Sequence, residues 1–144
     1  MANITAANSV VMLSANKLYN VPVQLQGFSA DDVFGAEAID TAEVLMGVDG
    51  KMSSGFIHVP VKWSITLQAD SGSNAIFDAI YGAEKIAQEK FILQGTVVLP
   101  SIGTTWVMNN GVMTSYQPVP DAKKVLQPRK YTITWESVSP SVRV

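Results

Sequence analysis

Cysteine is absent from the 144 residues, and histidine occurs once. Without cysteine there is no disulfide framework and no thiolate metal site, so the chain must be held by packing or by assembly. With one histidine and no cysteine, a zinc ligand set cannot be built in the ordinary way, and a catalytic triad would need partners at hydrogen-bond spacing from that histidine. His58, inside the apolar run Gly55-Phe56-Ile57-His58-Val59-Pro60, therefore reads as structural. Charge is sparse too: Asp, Glu, Lys and Arg make up 15% of the residues, and the net charge is -2. An average soluble domain has roughly 25% charged residues. No cluster of Lys and Arg is available to replace the counterions of a nucleic acid, so any DNA contact should be non-adhesive. No apolar stretch approaches the roughly 20 residues of a membrane span, and Met-Ala-Asn-Ile-Thr lacks the basic start and apolar segment of a signal peptide. Production in the cytoplasm without membrane insertion is expected. The glycines never fall into G-x-G-x-x-G or P-loop spacing, so no phosphate cradle is expected.

What the chain has in excess is apolar surface. Hydrophobic residues make up 47% of it, more than one small core absorbs, and soluble monomers rarely leave large apolar patches in water. Self-association follows as the first functional expectation. The length fits one domain over residues 1–144.

Alternation of apolar and polar residues dominates the pattern. Over residues 61–69, Val61, Trp63, Ile65, Leu67 and Ala69 fall on one face and Lys62, Ser64, Thr66 and Gln68 on the other, as in a half-buried strand. Val21, Val23 and Leu25 alternate with Gln24 and Gln26. Phe91, Leu93, Val97 and Leu99 alternate with Gln94 and Thr96, and Tyr131, Ile133 and Trp135 with Thr132 and Thr134. Further strands are expected over 9–13, 41–46 and 56–59. Asn109-Asn110-Gly111 between the β-prone runs 104–108 and 112–117 predicts a hairpin turn. Asp49-Gly50 predicts another turn, and the small, polar residues after it make 46–55 an extended exposed loop.

One helix is expected over about 74–88, with Ser73 as its N-cap, Asp78 near the positive end of its dipole, and Ile76, Ile80, Ala83 and Ala87 on its buried stripe. Gly82 inside it suggests close approach to a strand. Residues 118–128, with three prolines and Asp121, Lys123 and Lys124, read as a loop. The acidic segment of Asp31, Asp32, Glu37, Asp40 and Glu43 lacks calcium-loop spacing, and reads as a solvated stretch or an intersubunit partner for Lys or Arg. No catalytic residue, metal or cofactor is expected, and the chain is not read as an enzyme.

The order of elements, the segment Val61-Lys62-Trp63-Ser64-Ile65-Thr66-Leu67-Gln68-Ala69-Asp70-Ser71 running into the helix, and the Met46-Gly47-Val48-Asp49-Gly50 turn resemble tail tube proteins of contractile-tailed phages, a fold related to the Hcp tubes of type VI secretion. The resemblance implies a mainly β, sandwich or barrel-like domain with one flanking helix, an N-terminal arm over about 1–17 and an extended loop over 46–55. It implies hexameric rings stacked into a tube that holds the tape-measure protein and conducts DNA. The partners it implies are further copies of the chain, sheath, tape-measure, and baseplate or terminator proteins. The place it implies is the virion tail, assembled in the host cytoplasm. Candidates for the channel lining are Gln24, Gln26, Ser64, Thr66, Gln68, Gln94, Thr132 and Thr134. Candidates for contact between rings are Met46, Gly47, Val48, Asp49, Gly50, Lys51, Met52, Ser53, Ser54 and Gly55. A secretion tube would share this fold, and a carbohydrate-binding β-sandwich using Trp106 and Tyr116 is the alternative from another class.

Overall fold

Period-two alternation builds most of the molecule. The computed structural model describes residues 8–29 and 33–142, so residues 1–7 of the expected arm, and Asp31 and Asp32, lie outside the described residues. In chain order the elements are β1 (Val10–Ala15), β2 (Tyr19–Leu25), β3 (Phe34–Ala36), β4 (Ala42–Met46), β5 (Met52–Phe56), β6 (Val61–Leu67), α1 (Asn74–Ala87), β7 (Leu93–Leu99), β8 (Thr104–Tyr116) and β9 (Arg129–Val142). The fold is mainly β with one helix, as expected. Among the described residues seven strands form one antiparallel sheet in the order β2-β1-β7-β8-β9-β6-β3, and β4 pairs only with β5. The sheet is open and not a closed barrel. Its two flanks meet at one corner, where Ser29 N donates to Thr66 O and Gln68 N to Gly27 O, at 3.0 and 2.8 Å.

One face of the sheet is the core: Val11, Leu13, Leu25, Trp63, Ile65, Leu67, Leu93, Val97, Met108, Met113, Tyr131, Ile133 and Trp135 are buried. Trp63 and Trp135 meet edge to face at 6.4 Å within it. The helix covers this face. Phe77 stacks on Tyr131 with centroids 4.2 Å apart, and Asn74, Phe77, Ile80 and Glu84 are its buried residues. The buried stripe is rotated from the expected one: of Ile76, Ile80, Ala83 and Ala87 only Ile80 is buried, and Ala87 is exposed. The Phe77 ring buries more apolar area than two alanines and sets the helix's rotation.

Four local expectations change. Residues 104–116 form one strand, not a hairpin. Asn109-Asn110-Gly111 is a bulge against β7, where Leu93 faces Gly111 and Gly95 faces Met108. Asn110 takes φ +52°, so its tolerance of the left-handed region serves an inserted residue and not a chain reversal. Gly111 itself is required by packing, because a Cβ there would stand 2.3 Å from Trp135 Cε3. Ser73 does not cap the helix. It has helical φ and ψ and makes no side-chain cap bond, and its buried Oγ accepts from Gln26 N at 2.8 Å. A Cβ added at Gly82 would meet nothing within 4 Å, so no strand approaches it. Finally, the strand expected over 56–59 ends at Phe56, where β5 ends.

Candidate functional site

The second face of the sheet collects the short polar side chains. On neighbouring strands Ser64 faces Thr132, Thr66 faces Lys130 and Lys62 faces Thr134, while Thr134 also faces Val112. Farther along, Ser14 faces Gln94, and Met12 faces both Gln24 and Thr96. The hydroxyls and amides bond to one another: Ser64 Oγ to Thr132 Oγ1 at 3.2 Å, and Thr114 Oγ1 to Thr134 Oγ1 at 3.0 Å. Gln94 Nε2 donates to Asn110 Oδ1 at 2.8 Å, and Asn110 Nδ2 to Glu136 Oε2 at 2.7 Å. Six lining candidates, Gln24, Ser64, Thr66, Gln94, Thr132 and Thr134, thus share this face. Gln26 and Gln68 lie past the ends of β2 and β6, at the corner where the helix begins; Gln68 O accepts from Asn74 Nδ2 at 2.9 Å.

The expected loop over 46–55 is mostly strand. Ala42 pairs with Phe56, Val44 with Ser54 and Met46 with Met52, so irregular chain is confined to the turn at 47–51. That turn is fixed by its own bonds: Gly47 N donates to Lys51 O at 2.7 Å, Lys51 N to Asp49 Oδ1 at 3.1 Å, and Gly50 takes φ +84°. Opposed residues of an antiparallel pair share a face, so Ala42, Val44, Met46, Met52, Ser54 and Phe56 form one face, apolar except for Ser54. It is uncovered: Val44, Met46, Met52 and Phe56 are 51%, 66%, 62% and 73% exposed. His58, just beyond, is exposed, and its ring meets that of Phe56 edge to face with centroids 4.9 Å apart.

At the start of β9, Arg129 is the one buried cation among the described residues. Its Nη2 donates to Asp78 Oδ1 at 2.7 Å and to Gln117 O at 2.9 Å, and its Nε to Gln117 O at 3.0 Å. Tyr116 Oη also donates to Asp78 Oδ1, and Tyr116 stacks on Tyr81 at 4.4 Å. The hydrogen bond from Arg129 holds the Asp78 carboxyl below its ordinary value against the opposing effect of burial. Burial pushes the Tyr131 phenol well above its ordinary value; its hydroxyl donates to Asn74 Oδ1 at 2.8 Å. The cluster fixes the start of the loop at 117–128 to the helix. Sequence reasoning missed it, although Arg129 has the inward parity of Tyr131, Ile133 and Trp135. Among the described residues no three His, Cys, Asp or Glu side chains come together as a metal site. Trp106 and Tyr116 lie ten residues apart on β8, about 33 Å at strand rise, too far for a shared sugar platform.

A family model described as tail fiber protein gp32 matches residues 2–139. The chain belongs to the tail fiber protein gp32 family. No curated protein sequence matches it. Among solved structures, this gp32-family chain is similar to a chain of the sheath-tube complex of PVC, an extracellular contractile injection system, in the extended state. The TM-score is 0.65 at 13% identity, over 97% of this chain and 92% of that one. It is similar to a chain of the anti-feeding prophage tube-terminating cap, with TM-score 0.65 at 14% identity over 99% and 93%. It is also similar to a chain of the anti-feeding prophage baseplate, solved with six-fold symmetry, with TM-score 0.62 at 8% identity over 99% and 97%. At these identities the likeness is one of fold. The gp32 family membership and this tail-tube-like fold agree with the resemblance carried by residues 61–71.

Proposed function

We propose that the chain is a structural subunit of a phage tail tube, forming hexameric rings that stack around a channel. The observation that carries this reading is the β4–β5 hairpin, which leaves an apolar face in water and, among the described residues, pairs with no other strand. A two-stranded hairpin is marginal by itself, and burying such a face requires a second surface. The membership in a tail protein family and the fold shared with chains of a sheath-tube complex, a tube cap and a six-fold baseplate support the same reading.

In this assembly the face of Gln24, Ser64, Thr66, Gln94, Thr132 and Thr134 lines the channel. Ser64 bonds to Thr132, Thr134 to Thr114 and Gln94 to Asn110, and Lys62, Lys130 and Glu136 are its few charges. Such a surface stays wet without the cationic density that would grip DNA, so the tape-measure protein and then DNA pass without binding. Sheath packs outside, and baseplate and terminator proteins meet the two ends. The hairpin, including Met46 to Gly55, bridges one ring to the next.

Electron microscopy of the purified chain at rising concentration, with and without purified baseplates as nuclei, tests the proposal. Hollow tubes of constant width with six-fold end views are the expected result. Discrete monomers under all these conditions, or thin solid fibres without a lumen, would overturn it.

A further inference from the structure

We propose that the apolar face of the β4–β5 hairpin docks on the loop at 117–128 of a second copy, and that charge selects this seat. The inference rests on the self-assembly proposed above and names the receiving surface. Two observations place the partners at opposite ends of one strand. The hairpin is rooted at the start of β6, where Glu37 N donates to Lys62 O at 2.9 Å and Ile57 N to Thr41 O at 3.3 Å. The loop lies at the far end, where Leu67 faces Arg129 and Arg129 holds the carbonyls of Gln117 and Pro118. The seven residues of β6 separate them by about 20 Å. One chain therefore roots the hairpin at one end and holds the loop at the other, and among the described residues no hydrogen bond or ion pair joins the two within a copy.

The surfaces match in polarity. Val119, Val125 and Leu126 on the loop are 69%, 70% and 56% exposed. A cleft of about 630 Å³ runs between Val125, Leu126 and Pro128 on one side and Ser29, Gln68 and Ala69 on the other. The loop is shaped to present its tip: Ala122 bridges Leu126, and Gln127 N donates to Asp121 O at 2.9 Å, which leaves Lys123 and Lys124 outermost.

The charges are opposite. Around the hairpin, Glu37, Asp40, Glu43 and Asp49 outnumber Lys51 and Lys62, four acids to two bases. On the loop itself Lys123 and Lys124 outnumber Asp121, two bases to one acid, Arg129 being neutralised by Asp78, while Lys130 lies on the polar face and Asp70 borders the cleft. None of Glu37, Asp40, Glu43, Lys123 and Lys124 has an ion-pair partner among the described residues. Apolar contact supplies the adhesion, while rim charges steer the encounter and set register. The Glu37, Asp40 and Glu43 side chains of one copy meet Lys123 and Lys124 of the next.

The test is charge exchange in the full chain, read by sedimentation and electron microscopy, with circular dichroism confirming the fold. K123E/K124E and E37K/D40K/E43K are each expected to raise the concentration needed for assembly at least about tenfold. An equimolar mixture of the two variants is expected to recover assembly, because each carries the surface that complements the other. Wild-type assembly with undiminished assembly of either variant alone overturns this docking and leaves the tube reading standing. So does a mixture of two folded variants that fails to recover. A wild-type chain that never assembles overturns the tube reading itself, and this inference with it.

Discussion

Gly111 lies directly across from Trp135 on the paired strands β8 and β9, and a Cβ on Gly111 would stand 2.3 Å from the indole. The largest fully buried side chain of the core thus depends on the smallest residue of its neighbouring strand. Gly95, on β7, receives the other side of the same ring, with Trp135 Cη2 3.0 Å from its Cβ position.

Gly111→Ala should therefore destabilise the domain by about 1 to 3 kcal/mol, the usual cost of overpacking a filled core. Denaturant unfolding measures it. In combination with Trp135→Phe the penalty of the alanine should shrink, so the two changes are expected to be non-additive. Equal penalties in both backgrounds would show that the ring is not what excludes the methyl.

Asp78→Asn should cost about 1 to 2 kcal/mol, because it leaves the Arg129 guanidinium, 7% exposed, beside a neutral partner that is itself 46% exposed. The sign of the pH dependence follows from the lowered native pKa of Asp78. Its stabilisation is complete above the unfolded carboxylate value near 4 and is lost as pH falls through the lower native value. Melting temperatures between pH 2 and 5 should fall more steeply for the wild type than for the Asn variant.

At the alkaline end the raised pKa of Tyr131 works in the other direction. The native state keeps a proton that the unfolded state releases from about pH 10 upward, so stability declines as pH rises from there. Tyr131→Phe should flatten that decline, at a cost at neutral pH from the lost bond to Asn74. Parallel alkaline unfolding curves for the two proteins would assign the decline to other groups.

Replacing the hairpin residues 44–54 by an Asn-Gly turn should leave the seven-stranded sheet folded, since among the described residues β4 and β5 pair only with each other. Far-ultraviolet circular dichroism and melting should change little, while tube elongation should cease. Long tubes from the trimmed chain would move the contact between rings elsewhere.

Gln24→Lys with Ser64→Lys adds two cations to the polar face, where surface changes usually alter stability by no more than about 0.5 kcal/mol. Tubes should form normally. Repeated around every ring, the added charges should slow DNA ejection, measured as the time course of release from virions. Unchanged ejection would place this face away from the channel.

Legibility in the sequence follows burial. In β6 and β9 one face is packed and the other wet, so period-two alternation is forced and both strands are plain. The Asn110-Gly111 signal misleads because the same tolerance of positive φ serves a hairpin turn and a bulge; what decides between them is whether the flanking runs pair with each other or with β7 and β9, which is a non-local fact. Met52-Ser53-Ser54-Gly55 carries no strand pattern because β5 pairs with β4 and is exposed along its whole length among the described residues. The six lining candidates on one face are legible from parity alone. The Asp78–Arg129 pair is not, since it joins residues 51 apart, though an arginine at an inward position already calls for an acid.

The separation of hairpin and basic loop to opposite ends of β6 gives every copy a front and a back. Contacts of that kind never saturate: each added layer offers the next the same free surface, with no geometric reason to stop. A filament built by the proposed docking would have direction, with two chemically different tips, and starting it and halting it would be separate tasks. The length of such a filament would not be fixed by these contacts, which repeat identically at every layer.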